Sequence, residues 1–325
     1  FFFQIFPILI VFVVAANVMV AVVLSKRHMV TPTNVVLRYM AIADLCVGLT
    51  PLPWTLYFYT FGNHRRTEHL ELWWCYLFKY SMDAFPPIFH NVAMWLTVLL
   101  AGQRYISIAY PLYSRSLCSV KNVRLSTAVI ALISITCGLP KSFDATFEVF
   151  DGYIFSESGN KTHLRLQYWN NTGTALIESL GTNLFFNMYF WTRAVVFIIT
   201  PCALLIVLNG LLIRGIRRAQ QRKLRLLQEK RAREAQRQND TNSTSLMLVV
   251  IVTIFLVVNL PQAIFMVVLC VCNTFSLRLS ILESMFPVVF LLVNNMLIMA
   301  TYPINFAIYC FMSSSFRQTF QALFC

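Results

Sequence analysis

Asn17, Asp44, His90, Asn91, Arg104, Arg193, Asn209, Asn259, Gln262, Asn294, Asn295 and Asn305 stand inside long apolar runs of a 325-residue chain. Side chains of these types can hydrogen-bond, ionise or relay protons, but their spacing argues against bond-making chemistry. An intramembrane enzyme needs a nucleophile beside a base, or His, Cys and Asp ligands gathered at one depth. Asp44 and His90 fall far apart along separate runs, and no HExxH or GxSxG occurs. The nine cysteines are scattered; Cys270 and Cys272 form a CxC with no second pair nearby, so no zinc framework is expected. What remains is recognition and switching. A polar group in an apolar setting costs several kcal/mol unless it is paired, which makes each of these residues a functional candidate.

The elements that carry them are membrane helices. Apolar residues make up 58% of the chain and charged ones 12%, with a mean hydropathy of +0.65. Soluble domains run nearer about 45–50% and about 25%, so disorder, a fibrous chain and an ordinary soluble enzyme are excluded. At roughly 20–25 residues per span there is room for about seven helices. Apolar runs bounded by charge or turn residues fall at about 1–24, 34–61, 75–107, 123–143, 183–213, 245–272 and 284–310, and no internal repeat is visible. The opening FFFQIFPILI lies already inside the first run, without a basic segment or small-residue cleavage site. It reads as a span whose N-terminal tail is missing, not as a signal peptide. The expected fold is all-α: a seven-helix bundle over residues 1–312, with a loop at 216–243, and an amphipathic surface helix over 313–325. In that last stretch Phe316, Phe320, Leu323 and Phe324 share one face. Cys325 is either palmitoylated or unmodified.

The net charge of +13 becomes informative once placed. If the loops after spans one, three and five face the cytosol, that side holds 18 of the 26 Lys and Arg and the other side nine of the 13 acids. The positive-inside rule then puts the N-terminus outside, as in a multi-pass plasma-membrane protein, and the basic excess needs no nucleic-acid partner. Sequons at Asn160 and Asn170 fall in the long outer loop, where glycosylation is expected; those at Asn239 and Asn242 fall inside. The inner loop RGIRRAQQRKLRLLQEKRAREAQRQ reads as helical extensions of spans five and six, either a solvated charged helix or a docking surface. FEVFDGYIFSESGNKTHLRLQYW reads as a β-hairpin lid.

Asn17 in NVMV, Asp44 in LRYMAIADL, Arg104 in GQRYISIAYPLYS, Pro201, Pro261 in FLVVNLPQ, and Asn305 with Tyr309 in NFAIYCFMSSSFR occur in register on the seven spans. This series resembles the rhodopsin-like (class A) G-protein-coupled receptors over nearly the whole chain. PLPWTLYFYTFG, WCYLFKYSMDAFPPIFHNVAMWLTVLLAGQRY and YPINFAIYCFMS are similar to invertebrate neuropeptide receptors of the myosuppressin, sex peptide and FMRFamide-like group. The resemblance implies an extracellular amidated peptide, Arg-Phe-amide-like, as ligand and a heterotrimeric G protein as partner, with the inhibitory class suggested. It also implies an outward swing of span six about Pro261. Membrane lipid surrounds the bundle. The rival class is a transporter or channel, which often shows repeats and broken helices; no repeat is found here.

The departures from the family pattern matter. The usual Asp-Arg-Tyr is Gln103-Arg104-Tyr105, and the Asn-Pro-x-x-Tyr is Asn305 to Tyr309 with the proline displaced to Pro303. Asn259 replaces the usual Trp of span six, and Asn209 a common Tyr of span five. Gln103, Arg104, Tyr105, Asn209, Arg214, Pro261, Asn305 and Tyr309 are the expected coupling machinery. Cys75 sits 29 residues before Arg104, and no cysteine lies between Cys137 and Cys202, so the family's outer-loop disulfide cannot form. Cys75 is left free, or paired with the missing tail, Cys270 or Cys272. Asp44 marks either a sodium site or a protonated, hydrogen-bonded acid. Span seven has no lysine for retinal, and Pro86 and Pro87 stand where an amine receptor has its Asp. The expected ligand contacts are Trp54, Tyr57, Asp83, Pro87, His90, Arg193, Asn259, Gln262, Phe265 and Asn295. Lys79 and Asp83 are expected to pair at i,i+4, with Glu148, Asp151, Glu157, Glu178 and Glu283 ringing the loops. Arg193, His90, Gln262 and Asn295 form a polar floor for the amidated end in this reading, with Asp83 or a loop acid holding the peptide Arg; the plainer alternative pairs Arg193 internally with an acid and makes His90 a satisfied core residue.

Overall fold

The computed structural model describes residues 2–63, 72–153, 165–228 and 232–324. Among these residues, seven helices are long and apolar enough to cross a membrane: Ile5–Leu24, Pro32–Thr60, Leu72–Ala109, Val120–Phe143, Thr182–Gln221, Leu246–Thr274 and Phe286–Phe311. They are called spans one to seven. Their starts are set by local chemistry. Thr31 caps span two, its hydroxyl accepting from the Asn34 N–H at 3.2 Å, with Pro32 in the first turn where no N–H is needed. Ser119 caps span four in the same way at 3.3 Å.

The lipid-facing sides carry large exposed apolar residues, among them Val11, Leu125, Leu132, Val207 and Val257. Inward faces pack into three clusters. One joins spans one to four, six and seven around Val36, Leu96 and Leu248. Another joins spans three, five and six around Leu205, Leu212 and Val252. The third ties span one to span seven through Ile10, Val13 and Tyr302. Spans three and four approach so closely that a Cβ on Gly138 would collide with Ile88.

The basic segment between spans five and six is helical on both sides, in Thr200–Gln228 and Ala232–Thr274, as expected for helical extensions. Span seven is followed by a helix over Ser314–Phe324. Phe316, 1% exposed, packs on Tyr309 and Phe306, and Phe320 on Phe306, while Phe324 is half exposed. The apolar face of this helix is therefore used first against span seven. Cys325 and Glu157 lie outside the described residues.

Between spans four and five, β1 (Ala145–Tyr153) and β2 (Arg165–Gly173) pair antiparallel, from Ala145 opposite Gly173 to Tyr153 opposite Arg165. This is the expected hairpin. The end of the bundle that carries it is called the hairpin end, and the opposite one the basic end. Among the described residues, three π-helical stretches occur, in spans two, three and five, over Thr55–Thr60, Lys79–Ala84 and Arg193–Ile199, all toward the hairpin end. Such turns close i to i+5 and rotate the helix face beyond them.

Candidate functional site

Spans three, five, six and seven enclose a cavity of about 630 Å³ at the hairpin end. Span three supplies Met82, Asp83 and Pro87; span five Asn183, Phe186, Asn187, Phe190 and Arg193. Span six supplies Gln262, Met266, Leu269, Cys270 and Asn273, and span seven Leu291 and Asn295. Asp83, Pro87, Arg193, Gln262 and Asn295 are thus brought together as expected. The residues missed by sequence reasoning are mostly helical neighbours of those found. Asn183, Phe186 and Phe190 share the face of Arg193, and Met266, Leu269 and Asn273 that of Gln262, so continuing the 3.6-residue period would have found them.

Five expected contacts lie elsewhere. Trp54 is 4% exposed, stacked on Phe58 at 4.6 Å and edge-on to Phe78 at 5.1 Å. Tyr57 lies flat on Trp74 at 3.4 Å between ring centroids. Both are consumed in packing spans two and three together. Phe265 turns to Phe290 and Phe286 of span seven.

His90 and Asn259 sit beneath the cavity and occupy each other. His90 Nε2 is 3.2 Å from Asn259 Oδ1, and Nδ1 is 3.3 Å from the Tyr302 hydroxyl. Asn259 Nδ2 donates to the Phe255 carbonyl at 2.8 Å. Because Asn259 Oδ1 can only accept, His90 Nε2 donates to it; in the neutral ring Nδ1 then accepts from the Tyr302 hydroxyl. This relay links spans three, six and seven. One level above it, Asn294 Nδ2 donates to Gln262 Oε1 at 3.4 Å. This leaves the Gln262 N–H groups and one lone pair of Oε1 for the cavity.

The charge pairing at the hairpin end differs from the expected Lys79–Asp83 pair. Lys79 is 3.1 Å from Asp144, both about 95% buried, and Lys141 bridges Asp144 at 2.6 Å and Asp83 at 3.1 Å. Within the π-helical stretch Lys79–Ala84, Lys79 is buried against Asp144 at the end of span four, while Asp83 stays half exposed over the cavity. Arg193 has a buried Nε without a hydrogen-bond partner, and no ion pair among the described residues includes it. The acids Glu148, Glu178 and Glu283 are exposed, and the Asp151 side chain is not among those described. All eight described cysteines are free thiols, Cys75, Cys270 and Cys272 among them.

Toward the basic end, Gln103 is 5% exposed and neither its Nε2 nor its Oε1 has a partner. Gln103 therefore makes no hydrogen bond to Arg104, whose Nε is likewise unpaired. Asn209 Nδ2 donates to Thr253 Oγ1 at 2.9 Å, a direct bond between spans five and six. Tyr309 is 3% exposed against Phe316, and Tyr105 packs edge-on to Tyr110. Asn305 is partly buried and Arg214 exposed; the helices of spans six and seven run on through Pro261 and Pro303. Asp44 is buried, 3% exposed, in span two. Asn170 lies on β2 opposite Glu148, with its side chain undescribed, and Asn160 is outside the described residues.

The chain resembles known proteins throughout its length. A family described as serpentine-type seven-transmembrane G-protein-coupled chemoreceptors, Srw, matches residues 3–325. The chain is 66% identical over 322 residues to sex peptide receptor-related protein 2 of Caenorhabditis elegans, covering 99% of this chain and 71% of that protein. It is 35% identical over 321 residues to the sex peptide receptor of Drosophila melanogaster, with 98% and 71% covered. It is 21% identical over 318 residues to the FMRFamide receptor of the same fly, with 96% and 51% covered. With seven apolar helices around a polar cavity and a match of this extent, the chain belongs to the seven-transmembrane G-protein-coupled receptors of the neuropeptide type, and so to a family of receptors rather than of enzymes.

Proposed function

We propose that this receptor binds an extracellular amidated peptide of the Arg-Phe-amide kind in the cavity at the hairpin end and signals by outward movement of span six to a heterotrimeric G protein. In this reading the hairpin end and the N-terminus face outward and the basic end faces the cytosol, in keeping with the placement of Lys and Arg. The observation that carries it is Arg193, a cation facing the cavity with no carboxylate partner among the described residues, beside Gln262 and Asn295.

A C-terminal carboxamide suits those groups. Its oxygen accepts from the Arg193 guanidinium and from the Gln262 amide, and its N–H groups donate to Asn295 Oδ1. Phe186 and Phe190 offer apolar faces to the terminal aromatic ring, and Asp83 offers a carboxylate to the residue before it. Binding that favours an open-inside form shifts the equilibrium by its differential affinity. The Asn209–Thr253 bond separates, and Arg104 and Tyr309 are presented beside the basic helices. Asp44 is the acid a sodium ion would meet in the resting form. Relatives named for sex peptide and FMRFamide support a peptide ligand. The test is a panel of amidated peptides applied to cells expressing the receptor, with G-protein dissociation as readout. A response that disappears when the C-terminal amide is replaced by a methyl ketone or a free acid is expected. Activation by non-amidated peptides alone refutes the reading.

A further inference from the structure

We propose that Lys141 is a built-in competitor for the cationic residue of the ligand, seated on Asp83 until the ligand displaces it. This rests on the reading of the cavity as the site of a cationic amidated peptide. Asp83 is the one acid lining the cavity among the described residues, and it is already taken: Lys141 Nζ lies 3.1 Å from its Oδ2. The two partners differ in access. The Asp83 side chain is 48% exposed and that of Lys141 17%, so an incoming cation meets the carboxylate before it meets the ammonium.

Lys141 can leave Asp83 without being stranded. Asp144 holds it at 2.6 Å, and the Phe186 ring lies 5.9 Å from Nζ, within cation–π range. Asp144 is in turn shared with Lys79. A guanidinium has the advantage over a single ammonium at Asp83, because its planar fork pairs with both carboxylate oxygens. Lys141 thus sets a threshold: a ligand with a neutral residue at this place gains nothing from Asp83, and a cationic one gains only its surplus over Lys141. Lys141 also lies in the short helical turn Leu139–Phe143, four residues before β1, so occupancy of Asp83 by ligand is felt at the base of the hairpin.

The experiment is competition binding, normalised to surface expression. It compares a short amidated peptide ending in Arg-Phe with its twin carrying citrulline, uncharged but of the same shape, in place of Arg. Lys141→Gln is expected to raise affinity for the Arg peptide about fivefold, the upper end for a partly exposed ion pair, and to leave the citrulline twin unchanged. Asp83→Asn should remove the preference for Arg, and Lys141→Gln added to it should change nothing further. Equal gain for both peptides makes Lys141 mere bulk, and equal loss makes it a structural support; either overturns the proposal. If Lys141→Gln fails to reach the surface, Lys141→Arg replaces it. Its stronger grip on Asp83 should then weaken the Arg peptide alone, and no difference overturns the proposal. If neither peptide binds the wild-type receptor, the reading of the cavity itself falls.

Discussion

Asp144 is the hub of four charges at the hairpin end, and its replacement by Asn is the most direct test of what holds the hairpin down. No cysteine lies between Cys137 and Cys202, so no disulfide within the chain can tether this loop to span three. The Lys79–Asp144 pair spans that gap: Lys79 is on span three, and Asp144 immediately precedes β1. Both side chains are about 5% exposed. Removing one partner of a buried pair costs about 3–5 kcal/mol, whereas replacing both by apolar groups of similar volume is about neutral. Asn keeps one acceptor, and Lys141 keeps Asp83, so the lower end applies: about 3 kcal/mol, or roughly 100-fold in the equilibrium for opening the hairpin base. Hydrogen exchange of the β1 amides in purified receptor should quicken by about that factor, and the thermal midpoint should fall. The double variant Lys79→Met, Asp144→Leu should recover most of the loss. Because the pair is buried, high salt should leave the difference between wild type and Asp144→Asn in place. Unchanged exchange in Asp144→Asn, or a double variant as unstable as the single one, refutes the tether.

Three further outcomes are expected. Thr253→Val removes the acceptor of Asn209 Nδ2 while keeping shape. With a hydrogen bond worth about 0.5–1.5 kcal/mol, basal G-protein dissociation should rise about two- to tenfold, and an unchanged or lower basal level counts against this bond as a resting-state lock. Arg193→Ala should lower peptide potency about 10- to 100-fold through loss of a charge-assisted bond, with surface expression kept; equal loss of both assigns Arg193 to structure. Gln103→Asp gives Arg104 the acid that its neighbour lacks and should lower basal signalling, whereas no change would mean that Arg104 is restrained by something other than residue 103.

The fold was legible because lipid enforces it. Apolar runs, loop charge and the hairpin's alternating residues each reflect a large penalty for the wrong environment, and spans, surface helix and hairpin appear where those signals put them. The site was legible only in part, for two physical reasons. Depth along a helix can be counted from the sequence, but whether a polar group is spent on a neighbour cannot: His90 and Asn259 lie at the right level and satisfy each other, leaving Arg193, Gln262 and Asn295 to the cavity. The second reason is phase. Counting from Arg104 toward the hairpin end assumes an unbroken period, yet span three crosses a π-helical stretch at Lys79–Ala84 and span two one at Thr55–Thr60. Each shifts the phase of the helix beyond it, and Tyr57 and Lys79 stand within these stretches, against Trp74 and Asp144. The stretch in span three lies within the 29 residues separating Cys75 from Arg104. Lys79 opens that stretch, and buried there it meets the acid at the hairpin base, where a covalent link is missing.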